Sequence, residues 1–254
     1  SAASDVYKRQ VYVRGKYSNK ILRDLIDLKE SWVLLWIHPF GLEVYFQILN
    51  QVEHLKKSPL KIAIVPRDEY FYLYGKEKVY PYYLNSLKNL ILWILKDLDA
   101  NVYISSQTSS IVKSNNRIVN LLLKSLSCEG LRHRISKVIF RDISSAYKFY
   151  GSMDLLVTSY LHAGIMSLTF GVPSLFILPK ENTKVLDILS FLKMPIDVFL
   201  VDMFNRKELG KIILKVREII NKIDYYTNTI DNNLKMALPT ITIPFKKLLD
   251  LLES

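Results

Sequence analysis

The chain has 254 residues, half of them apolar, with a formal net charge of +11 and a single cysteine, Cys128. That length and apolar content support one large or two modest folded domains, while one cysteine excludes an internal disulfide and suits a reducing cytoplasm. The basic residues are spread among Leu and Ile, as in Lys211-Ile-Ile-Leu-Lys215, which reads as the solvated face of amphipathic helices and argues against a nucleic-acid partner.

In chain order, Ser1 to Gln10 resemble the translation of a transposon-end adapter used in preparing sequencing libraries and are set aside as a non-native leader. Apolar periodicity then predicts a strand over Val11–Arg14, a helix over Tyr17–Lys29, a strand over Trp32–Ile37 and a helix over Gly41–Lys57. From Leu60 the alternation becomes regular: strand Lys61–Val65, helix Pro81–Leu98, strand Asn101–Ser105, helix Ile111–Leu126, strand Lys137–Phe140 and a short helix Ser144–Tyr150. It continues with strand Asp154–Val157, helix Leu161–Phe170, strand Ser174–Leu178, helix Asn182–Leu192, strand Val198–Val201 and helix Lys207–Ile223. Tyr225 to Thr229 read as a turn region, and Phe245–Leu252 as a last helix. The polar, proline-bearing Lys57-Ser58-Pro59 marks a boundary, giving a leader (1–10), a first segment (11–58) and a main domain (59–254). The stretch nearest to membrane-spanning length, Leu84 to Leu98, is interrupted by Lys88, Lys96 and Asp97.

Short apolar strands separated by helices predict an α/β fold with a doubly wound, Rossmann-like parallel sheet. The most informative segment is Ser159-Tyr-Leu-His-Ala163, between an apolar strand and a helix closed by Gly171-Val-Pro173. A strand feeding a helix through a short polar turn leaves that turn at the carboxyl edge of the sheet, where the first helical N–H groups lack internal partners and attract anions. His162, in the first turn, adds a donor and, when protonated, a charge. Ser159 either binds an anion oxygen or caps the helix, and Leu161 packs while offering its backbone N–H. Arg67, between the first regular strand and Asp68-Glu69, lies at the same edge, as either a donor-binding cation or a member of a solvated, internally paired turn. Lys184 opens the helix after Ser174–Leu178, with Lys180 as a rival and an ordinary surface lysine as the plain alternative. The tyrosines at 70, 72, 74, 80, 82 and 83 suit a loop covering an interface, or a platform on which sugars stack. Asp154 reads as a turn residue. No His/Cys cluster, P-loop or G-x-S-x-G element supports metal, NTPase or serine-hydrolase chemistry.

Asp154-Leu-Leu-Val-Thr-Ser-Tyr-Leu-His-Ala163, Phe170-Gly-Val-Pro173 and Lys184-Val185 together resemble the signature of the polysaccharide pyruvyl transferases, D-hydrophobic-V-x-S-R-L-H-A, then G-V-P, then K-V. Lys61 to Glu69 is similar to the strand and Arg-Asp-x-Glu turn that open that family's carboxyl-terminal lobe, and Val11-Tyr-Val-Arg14 to Leu22 to a segment near the end of its amino-terminal lobe. The resemblance implies a GT-B-like carboxyl-terminal lobe with a remnant of the first lobe, phosphoenolpyruvate as donor, no cofactor or metal, and a sugar or lipid-linked glycan as acceptor. It also implies work on cell-surface polysaccharide in the cytoplasm, at the inner face of the membrane. His162 is then the catalytic candidate, with Arg67, Ser159, Tyr160, Leu161 and Lys184 binding the donor. One position departs: Tyr160 stands where the family has Arg, offering one phenolic donor and no charge in place of a guanidinium fork. The departure keeps two alternatives open, a GT-B-like glycosyltransferase using a nucleotide-sugar and an accessory glycan-binding lobe. With one wall of the cleft absent from the sequence, this stretch by itself is expected to be inactive.

Overall fold

A computed structural model describes residues 11–13, 31–33, 59–106, 115–126, 132–140 and 142–236. The expected helices Tyr17–Lys29, Gly41–Lys57 and Phe245–Leu252 lie outside the described residues, as do residues 34–37 of the expected second strand. Two short strands, β1 (Val11–Val13) and β2 (Ser31–Val33), pair in parallel.

The main sheet is built from β3 (Leu60–Val65), β4 (Ala100–Ser105), β5 (Ile135–Val138), β6 (Leu155–Thr158), β7 (Ser174–Leu178) and β8 (Leu200–Asp202). Every neighbouring pair is parallel and the order is β5-β4-β3-β6-β7-β8. The chain winds outward from β3 to one edge, returns to the middle, and winds outward from β6 to the other. The order therefore reverses between β3 and β6, and at such a switch point the two connecting segments leave in opposite directions, opening a crevice at the carboxyl ends of the strands.

Connecting helices are α1 (Glu69–Leu73), α2 (Tyr80–Asp97), α3 (Asn115–Leu126), α4 (Ile143–Gly151), α5 (Leu161–Leu168), α6 (Thr183–Phe191), α7 (Ile196–Phe199), α8 (Arg206–Leu209) and α9 (Ile212–Asn221). Residues 223–236 are also helical. Alternate side chains of the central strands enter separate cores: Ile62, Ile64, Leu155 and Val157 pack with α2, α3, α6 and α9, whereas Ala63, Val65 and Leu156 pack with Tyr147 and Tyr150 of α4 and with Phe170. Burial on both faces explains why these strands read as continuous apolar runs.

α5 approaches the sheet closely because Gly164 has no Cβ; one added there would fall within 3.0 Å of Phe176 Cε1 and Cζ. Phe176 is itself fully buried, so it cannot retreat into solvent. Gly171, at φ +73°, closes the turn after α5 in a conformation that other residues adopt only at a cost.

Several boundaries differ from the sequence expectation. β5 lies at Ile135–Val138 rather than 137–140, because the side chain drawn inward is Ile135 (4% exposed) while Ile139 points out (56%). α4 begins at Ile143, one residue before the expected start, because Asp142 caps it: the Asp142 carboxylate accepts from Ser145 N, and Ser145 Oγ accepts from Asp142 N. Val198 and Phe199 belong to α7, and only then does the chain extend into β8. The expected helix Lys207–Ile223 is broken near Gly210 into α8 and α9. Tyr225 to Thr229 are helical rather than turn, because Tyr226, Ile230 and Leu234 recur at helical spacing on the core side. Asn233 fastens that segment by donating to Leu192 O at 2.8 Å, and Tyr226 meets Phe199 edge-on at 4.8 Å.

Candidate functional site

The carboxyl ends of β3 and β6 bring together two of the segments singled out in the sequence. Ser159 N donates to Val65 O at 2.9 Å, prolonging the ladder one step past the strand ends. Tyr83, from the second turn of α2, then joins the exits: its hydroxyl accepts from Arg67 N at 3.1 Å and shares a hydrogen bond with Ser159 Oγ at 2.7 Å. Ser159 is 1% exposed and Tyr83 fully buried, so this clasp is internal and rigid. The capping reading of Ser159 is thereby corrected: its hydroxyl is spent on Tyr83, and the N-cap of α5 is Tyr160, whose side chain caps no amide.

The N-cap residue of α5 offers its first turn no side-chain cap, and a helix start at the carboxyl edge of a parallel sheet is an arrangement that favours an anion. Leu161 packs partly against the core, and His162 is exposed in the first helical turn. An exposed imidazole at this place is accessible to a ligand, unlike a histidine sealed among apolar neighbours.

Arg67 turns back over this helix start. Its guanidinium lies 5.0 Å from the centroid of the Tyr160 ring and 4.4 Å from that of Tyr70. Nε donates to Glu69 Oε2 at 2.8 Å, Nη2 approaches the same oxygen at 2.6 Å, and Nη1 reaches the Tyr70 hydroxyl at 3.3 Å. Of the two readings of Arg67, the internally paired turn is seen directly in its contacts with Glu69, and the same guanidinium also stands over the Tyr160 ring.

Tyr160 is 7% exposed, and its hydroxyl is buried without a hydrogen-bond partner among the described residues. The Tyr80 hydroxyl is in the same condition. Burial, followed by the negative charge of Glu69, raises the Tyr160 phenol well above its ordinary pKa. Burial and then Asp68 push Tyr80 up to about 12. Both phenols are consequently neutral at physiological pH, and each holds an O–H that an entering anion oxygen can accept.

Asp68, 5% exposed at the exit of β3, has its carboxyl pKa raised, chiefly by burial and further by Glu69, while a backbone hydrogen bond and then Arg117 and Arg67 oppose the rise. No sequence signal separated it from its solvated-looking neighbours. Tyr83 was also missed as a site residue, although its spacing with Leu87, Leu90, Ile91 and Ile94 would have placed it on the buried face of α2.

Lys184 is exposed in the first turn of α6, after β7, and so stands at the carboxyl edge one strand from β6. Val185 beside it is fully buried, and its N–H is capped by Asn182 at 3.3 Å. The rival Lys180 lies 3.9 Å from Glu208. The aromatic segment is helical in α1 rather than a loop; Tyr72, Tyr74 and Tyr82 are about half exposed, while Phe71 packs on Tyr83 and Phe204.

Asp154 lies at the opposite edge. Its carboxylate accepts from Lys61 N at 2.7 Å, which bears out its reading as a turn residue. It also borders a cavity of about 260 Å³, lined by Asp224, Asp231, Gly171 and neighbours, that is remote from His162 along the strand direction. Among the described residues there is no group of three or more His, Cys, Asp or Glu suited to a metal ion, and no helix long and apolar enough to cross a membrane.

Sheet order, flanking helices and a helix-start site at the switch point define a Rossmann-like α/β lobe of the GT-B kind. Solved structures agree on the fold: the chain is similar to sucrose-phosphate synthase from Thermosynechococcus elongatus (TM-score 0.59, 12% identity, 96% of this chain and 58% of that one). It is also similar to UDP-GlcNAc 2-epimerase from Methanocaldococcus jannaschii, in complex with UDP-GlcNAc and UDP (0.54, 14%, 84% and 55%). A third likeness is to Anabaena HepE in complex with UDP and glucose (0.51, 13%, 95% and 63%). The chain spans less than two thirds of each of these proteins. No curated protein matches the sequence significantly. The family model for polysaccharide pyruvyl transferase matches residues 4–181, and the chain belongs to that family.

Proposed function

We propose that this chain carries the donor site of a transferase that moves pyruvate from phosphoenolpyruvate to a sugar of a cell-surface polysaccharide as a ketal. The observation that carries the reading is Arg67 stacked over Tyr160 at the start of α5. The cation missing at position 160 is supplied from the neighbouring strand exit, and the Tyr160 hydroxyl remains as a neutral donor beside it. A phosphate or carboxylate held there meets the helix amides, a phenol, an imidazole and a guanidinium, with Lys184 adding charge at the next strand.

The chemistry asks little else of the protein. A proton must reach the enol carbon, two sugar hydroxyls must add to the adjacent carbon, and phosphate must leave, so the enzyme holds the anion, supplies an acid and aligns the hydroxyls. Residues 59–254 form the donor-binding lobe in this scheme, and 11–58 belong to a first lobe. The acceptor is a sugar or lipid-linked glycan met at the cytoplasmic face of the membrane, which the excess of positive charge favours.

A second reading, transfer from a nucleotide-sugar, draws on the same helix start and on the UDP bound in two of the similar structures. Thermal-shift measurements separate the two. Protection by phosphoenolpyruvate but not by a panel of nucleotide-sugars is the expected result; the reverse pattern replaces the pyruvyl reading with the glycosyl one.

A further inference from the structure

Large apolar side chains left open to water at one place mark a contact surface. At the end of α1, Leu73 is 73% exposed, Tyr72 and Tyr74 on either side are 49% and 56% exposed, and Tyr82 in the first turn of α2 is 48% exposed. These side chains share one face. The Tyr72 ring lies 6.2 Å from Tyr80, and the Tyr74 ring 5.4 Å from Phe204. Two residues beyond Phe204, Arg206 reaches back over the same segment, its guanidinium 3.9 Å from the Tyr82 centroid and its Nη2 donating to Lys78 O at 3.3 Å. The turn that presents Leu73 is anchored. Gly75, at φ +62°, lets Lys76 N donate to Phe71 O at 2.7 Å, and Phe71 is fully buried.

The rim of this face is basic: Lys76, Lys78, Arg206 and Lys207 are all exposed, against the exposed carboxylate of Glu77. Lysine is depleted from protein–protein interfaces, and a platform for sugar rings has no use for an aliphatic tip as open as Leu73. Tyrosines around a leucine, edged by cations, are instead the composition that settles into a lipid headgroup layer. We propose that this face docks on the anionic surface of a bilayer, Leu73 and its neighbouring tyrosines entering the headgroup layer while the basic side chains meet lipid phosphates. The chain's net charge of +11 draws it the same way. The patch also adjoins the anion site, since the Tyr70 ring lies 6.0 Å from Tyr74 and 4.4 Å from the Arg67 guanidinium. Docking therefore brings the rim of that site to the bilayer, where a lipid-linked acceptor carries its sugar. The inference deepens the membrane contact of the reading above by naming its surface, and it holds whichever donor is used.

The test is co-sedimentation of the full chain with vesicles of phosphatidylcholine and an equal part of phosphatidylglycerol, compared with phosphatidylcholine alone. Expected is binding to the anionic vesicles that weakens as salt is raised. Leu73→Gln should weaken it on the order of tenfold, by removing the inserted side chain. Lys78→Gln should weaken it about fivefold, by removing one cation near the lipid phosphates. The control is Lys148→Gln, which removes one exposed charge from α4 on the other face of the sheet and should change nothing. All three positions are exposed, so unchanged melting temperatures are expected and show that each variant is folded. No binding to anionic vesicles at low salt, full affinity in Leu73→Gln, or equal losses from Lys78→Gln and Lys148→Gln overturns the proposal. A wild type that ignores vesicles but sediments as a dimer, which Leu73→Gln turns into a monomer, overturns it in favour of a second copy on this face. None of these outcomes touches the donor reading, which protection by phosphoenolpyruvate decides separately.

Discussion

Glu69→Gln is expected to strengthen anion binding, because Glu69 holds the guanidinium that the anion needs. Arg67 Nη2 and Glu69 Oε2 are 2.6 Å apart, and the two side chains are 25% and 30% exposed. Two unit charges 4 Å apart attract by about 4 kcal/mol at an effective dielectric of 20 and by about 1 kcal/mol in bulk water. Partial exposure, and the entropy of holding two long side chains, bring the net value toward the lower figure. Releasing Arg67 should therefore contribute about 1 to 1.4 kcal/mol to an incoming anion, or roughly five- to tenfold in affinity. The charge of Glu69 also opposes ionisation of Asp68 and Tyr160, so its removal lowers the local negative field in the same sense. Titration calorimetry with phosphoenolpyruvate, and separately with inorganic phosphate, at low ionic strength measures the change. The gain should shrink as salt is raised, since the site is partly open to solvent. Binding that is unchanged or weaker in Glu69→Gln refutes the reasoning, because it means that Arg67 takes no part in holding the anion.

Three other outcomes test the site and its scaffold. His162→Ala should lower phosphoenolpyruvate affinity more than tenfold without lowering the melting temperature, since the imidazole is exposed; unchanged affinity removes His162 from the site. Gly164→Ala should destabilise the fold by about 1 to 2 kcal/mol, the overpacking against Phe176 exceeding the roughly 1 kcal/mol gained in helix propensity. Adding Phe176→Leu should recover part of that loss in chemical denaturation, and full additivity of the two losses would show that α5 does not press on β7. Hydrogen bonds from Ser145 hold the Asp142 carboxyl below the usual range, so its contribution is present above the unfolded value near 3.9 and is lost as pH falls through the lowered folded value. Asp142→Ala should accordingly flatten the acid limb of a stability–pH profile, with little change in slope above about pH 5.

What was legible in the sequence follows from how local each signal is. β3 and β7 were placed to within a residue because both are buried on two faces, so their apolar runs end where polar turns begin. The turn at Ser159 to His162 was legible for the same reason, since a strand, a short polar link and a helix are consecutive in sequence. β8 was misplaced because Val198-Phe199-Leu200-Val201 is apolar throughout and carries no period to distinguish a short helix from a strand. Tyr225 to Thr229 misled by composition, as Thr and Asn are poor helix formers and the packing of Tyr226 and Ile230 overrides that preference.

The parts of the site that escaped are those made by contacts distant in sequence. Tyr83 and Ser159 are 76 residues apart and meet only because β3 and β6 are neighbours at the point where strand order reverses. The same adjacency sets Arg67 over Tyr160, and without it the loss of arginine from position 160 reads as the loss of an anion site. Asp68 is the sharpest case: between Arg67 and Glu69 it reads as one more solvated charge, yet in the fold it is 5% exposed. Charge at this site is thus distributed by topology, with the cation and the buried carboxyl arriving together from the exit of β3 and the neutral phenol from the exit of β6.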